Sequence, residues 1–164
     1  MKPLNLKLLV SALNSESVEY VLIGGLAVIA HGADRATKDI DIAIAFDVEN
    51  RHRLVKALEP LHPRPLRLAE GAAWVWDVFC IRGPWTILET DAGRVDLIVR
   101  TPGVDSFSDL FERAMMVDYF GVDLRLVSLD DLMRMKAAAT RDVDVWDLHA
   151  LQAVKRILDQ SSQT

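Results

Sequence analysis

The stretch VLIGGLAVIAHGADRATKDIDIAIAF constrains this chain more than any other part of it. A short apolar run, Tyr20–Ile23, ends in Gly24-Gly25, and Asp39-Ile40-Asp41 follows fourteen residues after the second glycine. An apolar run closed by glycine predicts a buried strand. Leu26–His31, stopped by Gly32, predicts a short helix, and Ala33–Lys38 a polar loop. Asp39–Phe46 alternates and is β-branched at its centre, so it predicts a second strand. Alternate side chains of a strand share a face. Asp39 and Asp41 therefore project together, while Ile40 and Ile42 point to the other side. Two neighbouring carboxylates repel each other, and a bound cation or full solvation relieves the repulsion. The glycine turn before them suits a phosphate approaching the backbone N–H groups at a helix start.

The remaining periodicity predicts a mixed α and β order. Leu4, Leu8, Leu9 and Leu13 recur at helical spacing. Asp47 is an N-cap candidate for a helix over Val48–Leu58, and Pro60, Pro63 and Pro65 break the chain after it. The region 69–84 is hard to read: Trp74, Trp76 and Val78 alternate like a strand, but Gly83-Pro84 closes it. Trp85–Thr90 and Arg94–Arg100 flank Asp91-Ala92-Gly93, a hairpin signal. Ser106–Ala114 predicts a short helix and Val122–Val127 a strand. Ser128 with Asp131 resembles a capping box before a helix through Met135 and Ala139. Asp142 or a neighbour caps a last helix containing Val145, Leu148, Leu151 and Ile157, and the polar tail after Gln160 is expected to fray. At least one hairpin argues against a purely parallel sheet and for an α+β arrangement in a single domain over 1–164, with C-terminal helices from about 129 to 160.

A third carboxylate strengthens the case for a site. Asp96 lies in Arg94-Val95-Asp96-Leu97-Ile98-Val99, an apolar run in which an acid must be paired, metal-bound or at an exposed edge. A strand beside Asp39–Ala45 would bring Asp39, Asp41 and Asp96 to one point. Three carboxylates with few imidazoles favour Mg²⁺ or Mn²⁺ over zinc, and His31, His52, His62 and His149 show no zinc-ligand spacing. Arg35 and Lys38 stand just before the acids, where they either solubilise a loop or contact phosphate oxygens, and Thr37 caps or bonds in the same loop. His31 reads as a packing residue at a helix end rather than a base. Gly24-Gly25 is neither G-x-G-x-x-G nor a Walker motif.

Composition excludes several classes. The 164 residues suffice for one domain with a core, and 51% hydrophobic content argues against disorder. A net charge of −5 argues against a broad nucleic-acid footprint, though Arg64, Arg67, Arg82, Arg94 and Arg100 could form a compact docking surface. One cysteine, Cys80, allows no internal disulfide and fits a reducing compartment. With no cleavage site and no run of about 18–20 apolar residues, the expectation is a soluble cytoplasmic protein that does not enter membranes.

The pattern G-G, helix, H-G, R-x-T-x-D-I-D-I and a later V-D-L-I resembles the nucleotidyltransferase superfamily, the minimal polymerase-β-like fold, and is most similar to its AbiEii-type branch, often toxins of toxin–antitoxin pairs. The likeness spans Val21–Ala45 and Arg94–Val99, and more loosely Leu129–Leu148, where Asp131 to Ala139 followed by Arg141-Asp142-Val143-Asp144 and Asp147-Leu148 is similar to a late helical motif with a functional lysine and aspartate. The resemblance implies an α+β nucleotidyltransferase fold, a small mixed sheet with helices packed on it. It implies that Asp39 and Asp41 hold metal, that Asp96 completes the triad, that Gly24 and Gly25 border a triphosphate and that Lys136 reaches phosphate. Arg35, Thr37 and Lys38 fall at the nucleotide. Many members have Gly-Ser where this chain has Gly24-Gly25, so a phosphate-binding hydroxyl is missing. The implied reaction moves a nucleoside monophosphate from an NTP to an acceptor hydroxyl on RNA, protein or a small molecule, and a cognate antitoxin is an implied partner. The competing class is a non-catalytic domain of the same fold that binds another protein.

Overall fold

The computed structural model describes residues 2–67 and 71–161. Six helices flank one seven-stranded mixed sheet among these residues. In chain order the elements are α1 (Leu6–Ser15), β1 (Tyr20–Ile23), α2 (Gly24–Ala30), β2 (Asp39–Ile44), α3 (Val48–Leu58), β3 (Arg64–Pro65), β4 (Trp85–Thr90), β5 (Gly93–Ile98), α4 (Phe107–Arg113), β6 (Met115–Asp118), β7 (Asp123–Leu126), α5 (Leu129–Ala138) and α6 (Asp142–Ser161). The strand order is β3-β4-β5-β2-β1-β7-β6. β2 runs parallel to β5 and β1 parallel to β7, and the other pairs are antiparallel.

The acid-bearing strand lies at the centre because the apolar runs do. All four residues of β1 are buried, as are Ile40, Ile42, Ala43 and Ile44 of β2 and Val95 and Leu97 of β5. β1, buried on both faces, reads as a continuous apolar run, whereas β2 and β5 carry acids and Arg94 on one face. α1 buries Leu6, Leu9, Val10 and Leu13 along one stripe, started by Asn5, whose side chain accepts from Leu8 N at 3.0 Å. Asp47 caps α3 by accepting from Asn50 N at 2.9 Å. The buried Asn50 amide then fixes the edge of β1, accepting from Glu19 N and donating to the carbonyls of Glu19 and Ala45.

Several local expectations change. α2 starts at Gly24 rather than Leu26, with φ +65° at that residue. Gly93 is the first residue of β5, with φ +102°, so the hairpin turn is the two residues Asp91-Ala92. β6 and the two-residue β3 carried no sequence signal that was read as strand. The alternation of Trp74 and Trp76 does not make a strand. Both indoles instead reach back over earlier segments, Trp74 Nε1 donating to Pro63 O at 2.8 Å and Trp76 Nε1 to Val55 O at 2.9 Å. A short 3₁₀ turn at Val78–Cys80 follows. The fraying expected after Gln160 concerns mainly residues 162–164, which lie outside the described residues. No helix among the described residues is long and apolar enough to cross a membrane.

Candidate active site

Register brings the three acids together. β2 and β5 pair in parallel with Asp41 opposite Asp96 and Asp39 opposite Arg94. Direct register partners stand on the same sheet face, and so do residues two apart on one strand. Asp39, Asp41, Asp96 and Arg94 therefore share one face. Asp96 is buried at 2% exposure, an environment no carboxylate takes without partners.

Its principal partner is Arg94. Nε of Arg94 donates to Asp96 Oδ1 at 2.9 Å and Nη2 to Oδ2 at 2.8 Å, a two-pronged contact, while Nη1 lies 3.8 Å from Asp39 Oδ2. Trp85 Nε1 adds a long contact to Asp96 Oδ2 at 3.5 Å. Asp39 is set by Thr37, whose hydroxyl donates to its Oδ1 at 2.8 Å. Asp41 receives only a weak bond from Gly25 N, at 3.4 Å. Burial first, and then the charges of Asp39 and Asp96, push its pKa up to about 6.

The glycine turn lies directly against the acids. A Cβ built on Gly24 would overlap the Asp41 carboxylate. One on Gly25 would lie 2.8 Å from Thr37 Oγ1 and 3.0 Å from Arg35 Cζ. Gly24 thus needs glycine for close approach and for its positive φ, whereas at Gly25 a side chain would displace the ends of Thr37 and Arg35.

The cations form a second layer, held by α6. Lys136, in the last turn of α5, is buried and reaches Asp144 Oδ1 at 2.8 Å and Asp147 Oδ2 at 2.7 Å. Arg35 Nη1 meets the same Asp147 oxygen at 2.6 Å, and Arg141 Nε meets Asp144 Oδ2 at 2.7 Å. Burial opposes the charge of Asp144, but its bonds from Arg141 and Lys136 outweigh that and hold its carboxyl below the usual range. Lys136 also acts electrostatically on Asp41, which places this cluster beside the acids. Asp144 and Asp147, both within the late helical motif, pair with Lys136, and Asp144 pairs with Arg141 and Asp147 with Arg35 as well. Their spacing of three places both on one helix face. Lys38 is exposed and makes no ion pair among the described residues. His31 Nε2 donates to Val127 O at 2.8 Å, tying the end of α2 to the exit of β7, a packing role.

Arg94 links the docking-surface candidates to the acids. It pairs with the acid face through Asp96, two residues on along its strand, while Arg64 stands in the same register row beyond Glu89 and lines one cavity with it.

A mixed sheet with acids on adjacent central strands and a helical pair bringing a lysine to them defines a nucleotidyltransferase-fold protein. The chain matches the family described as "Nucleotidyltransferase of unknown function (DUF6036)" over residues 5–160, and it belongs to that family. No curated protein matches it in sequence. Among solved structures it is similar to the lincosamide antibiotic adenylyltransferase LnuA, crystallised lincomycin-bound (TM-score 0.61, 14% identity, 93% of this chain and 99% of that one). It is also similar to ANT(2")-Ia in complex with adenylyl-2"-tobramycin (TM-score 0.56, 12% identity, 97% of each chain). An antigenic nucleotidyltransferase-like protein from Paracoccidioides brasiliensis aligns with TM-score 0.51 at 18% identity, over 91% of this chain and 77% of that one. At these identities the likeness establishes the fold.

Proposed function

We propose that the chain transfers a nucleoside monophosphate from an NTP to an acceptor hydroxyl. The observation that carries this reading is the register of Asp41 against Asp96, with Asp39 on the same face. In the proposed reaction the acceptor oxygen attacks the α-phosphorus, the bond to the β-phosphate oxygen breaks and pyrophosphate leaves. The acceptor proton passes to Asp96. Arg35 and Lys136 offset charge on the phosphates, Thr37 and Lys38 flank them, and Gly24 and Gly25 border the triphosphate by leaving its approach unobstructed.

The donor set suits a hard divalent cation: three carboxylates on one face, no thiolate or imidazole among them. Asp39, Asp41 and Asp96 are the residues that would hold Mg²⁺ or Mn²⁺, which would lower the acceptor's pKa and offset charge on the leaving pyrophosphate. The wider reading is a cytoplasmic AbiEii-type toxin with a cognate antitoxin, supported by the R-x-T-x-D-I-D-I and late helical motifs.

A second reading has one observation in its favour. Asp96 is already neutralised by Arg94, and among the described residues no three acid, histidine or cysteine side chains are grouped so as to hold a metal. A non-catalytic domain that binds a partner protein would tolerate that arrangement. Incubation of wild type and Asp41→Asn with each labelled NTP and cell extract separates the two. Label transferred by wild type alone supports the enzyme. No label with any NTP, in Mg²⁺ or Mn²⁺, favours the binding module.

A further inference from the structure

Arg94 stands in a row of register partners that runs across three strands. Asp39 of β2 is on one side of it and Glu89 of β4 on the other, all on the acid face. The guanidinium leans toward the acids. It takes one lone pair on each Asp96 oxygen, and Trp85 approaches Oδ2 as well. A carboxylate offers about four lone-pair directions, so little of Asp96 is left for another cation. Glu89 is exposed and makes no ion pair among the described residues, although Arg64 of β3 is its register partner on the far side. Arg94 thus has carboxylates on both sides of its row and, among the described residues, pairs only toward the side of Asp39 and Asp96.

We propose that Arg94 is a tethered counter-cation that competes with the divalent ion for Asp96 and swings toward Glu89 when that ion enters. This rests on the nucleotidyl-transfer reading of the acid face and adds a positioning residue to it. Carboxylates gathered on one sheet face need positive charge beside them, and Asp96 is too buried to stand alone. A guanidinium fixed in the same place as a divalent ion would repel it, so assembly of the site requires the arginine to leave Asp96. Glu89 supplies the displaced side chain with a new partner without rearrangement of the strands.

The competition is read by Mn²⁺ titration of the full chain without nucleotide, following free Mn²⁺ by electron paramagnetic resonance. Binding and the Arg94–Asp96 contact are linked reciprocally, so Arg94→Gln should bind Mn²⁺ about tenfold or more tightly than wild type. Arg94→Lys should fall between them, because an ammonium cannot hold both Asp96 oxygens in a planar fork. Glu89→Gln should bind more weakly than wild type, since the displaced guanidinium loses its second partner. Equal or weaker Mn²⁺ binding by a folded Arg94→Gln overturns the proposal; if that variant does not fold, equal or weaker binding by Arg94→Lys does so. Unchanged affinity in Arg94→Gln together with loss of binding in Asp41→Asn defeats the competition and leaves nucleotidyl transfer standing. No Mn²⁺ bound by wild type or any variant defeats both.

Discussion

Arg35 and Lys136 end on the same oxygen of Asp147, at 2.6 and 2.7 Å. One residue precedes the acid strand and the other closes α5, so this oxygen joins the loop before β2 to the C-terminal helices. Among the described residues Arg35, Lys136 and Arg141 form ion pairs only with Asp144 and Asp147, which leaves the cluster one positive charge in excess beside the negative face. That surplus is what an incoming polyphosphate would meet.

Because Lys136 is buried, its partners cannot be removed cheaply. Asp147→Asn leaves a buried ammonium with Asp144 alone and strips Arg35 of its contact, and it should cost about 3 kcal/mol or more by chemical denaturation. Lys136→Met should cost less, since Arg35 still serves Asp147 and Arg141 still serves Asp144. Equal losses in the two variants would show that Asp147 is no more central than the lysine.

Asp41 destabilises the fold when ionised. Its pKa is raised from 3.8 unfolded to about 6 folded, so between these values the folded state binds more protons. Stability therefore falls as pH rises from about 4 to about 6, and above that the full cost, about 3 kcal/mol for such a shift, applies. Asp41→Asn should be as stable as wild type or more so at pH 7, with a flatter stability profile over that window, and should be inactive. Thermal melts across pH check the sign. A variant less stable than wild type at pH 7 would assign Asp41 a structural role instead.

The central region was legible because it is local and periodic. The run from Val21 to Ala45 announces strand, glycine turn, helix and strand by apolar spacing, and Asp39 and Asp41 share a face by strand geometry alone. Placing Asp96 beside them needed the parallel pairing of β2 with β5, which the chain reaches only after α3 and a hairpin. The pairing of Arg94 with Asp96 is as local as that of Asp39 with Asp41, since both join residues two apart on one strand. The Trp74 and Trp76 alternation misled because two indoles covering earlier segments mimic a strand's period. β6 could not be read because only its partner β7 carries the buried apolar pattern.

Gly24 should resist even the smallest side chain. Alanine there would adopt φ +65° and place its methyl in the Asp41 carboxylate. The backbone strain alone is worth about 1–3 kcal/mol. Gly24→Ala should lower stability, and pairing it with Asp41→Gly should recover part of the loss by removing the clash, which Asp41→Ala would leave in place at Cβ, 2.6 Å away. Additive losses in the double variant would place the methyl elsewhere. Gly25→Val should meet Thr37 and Arg35 instead, and should weaken nucleotide binding in a protein that still folds.

Arg35 separates triphosphate from monophosphate recognition. Its guanidinium lies against the Gly25 turn and is anchored by Asp147, so it flanks the phosphate side of the acids. In the proposed reaction it offsets charge on the leaving pyrophosphate, which a monophosphate lacks. Loss of one charge-assisted contact of this kind is worth about tenfold in affinity. Arg35→Ala should weaken NTP binding by about that factor and NMP binding far less. Asp147→Asn should reproduce part of the effect, because it frees the arginine without removing it. Calorimetric titration of both nucleotides against wild type and the two variants tests this. Equal weakening toward NTP and NMP would move Arg35 to the α-phosphate, and no weakening toward either would leave it a tie between the β2 loop and α6.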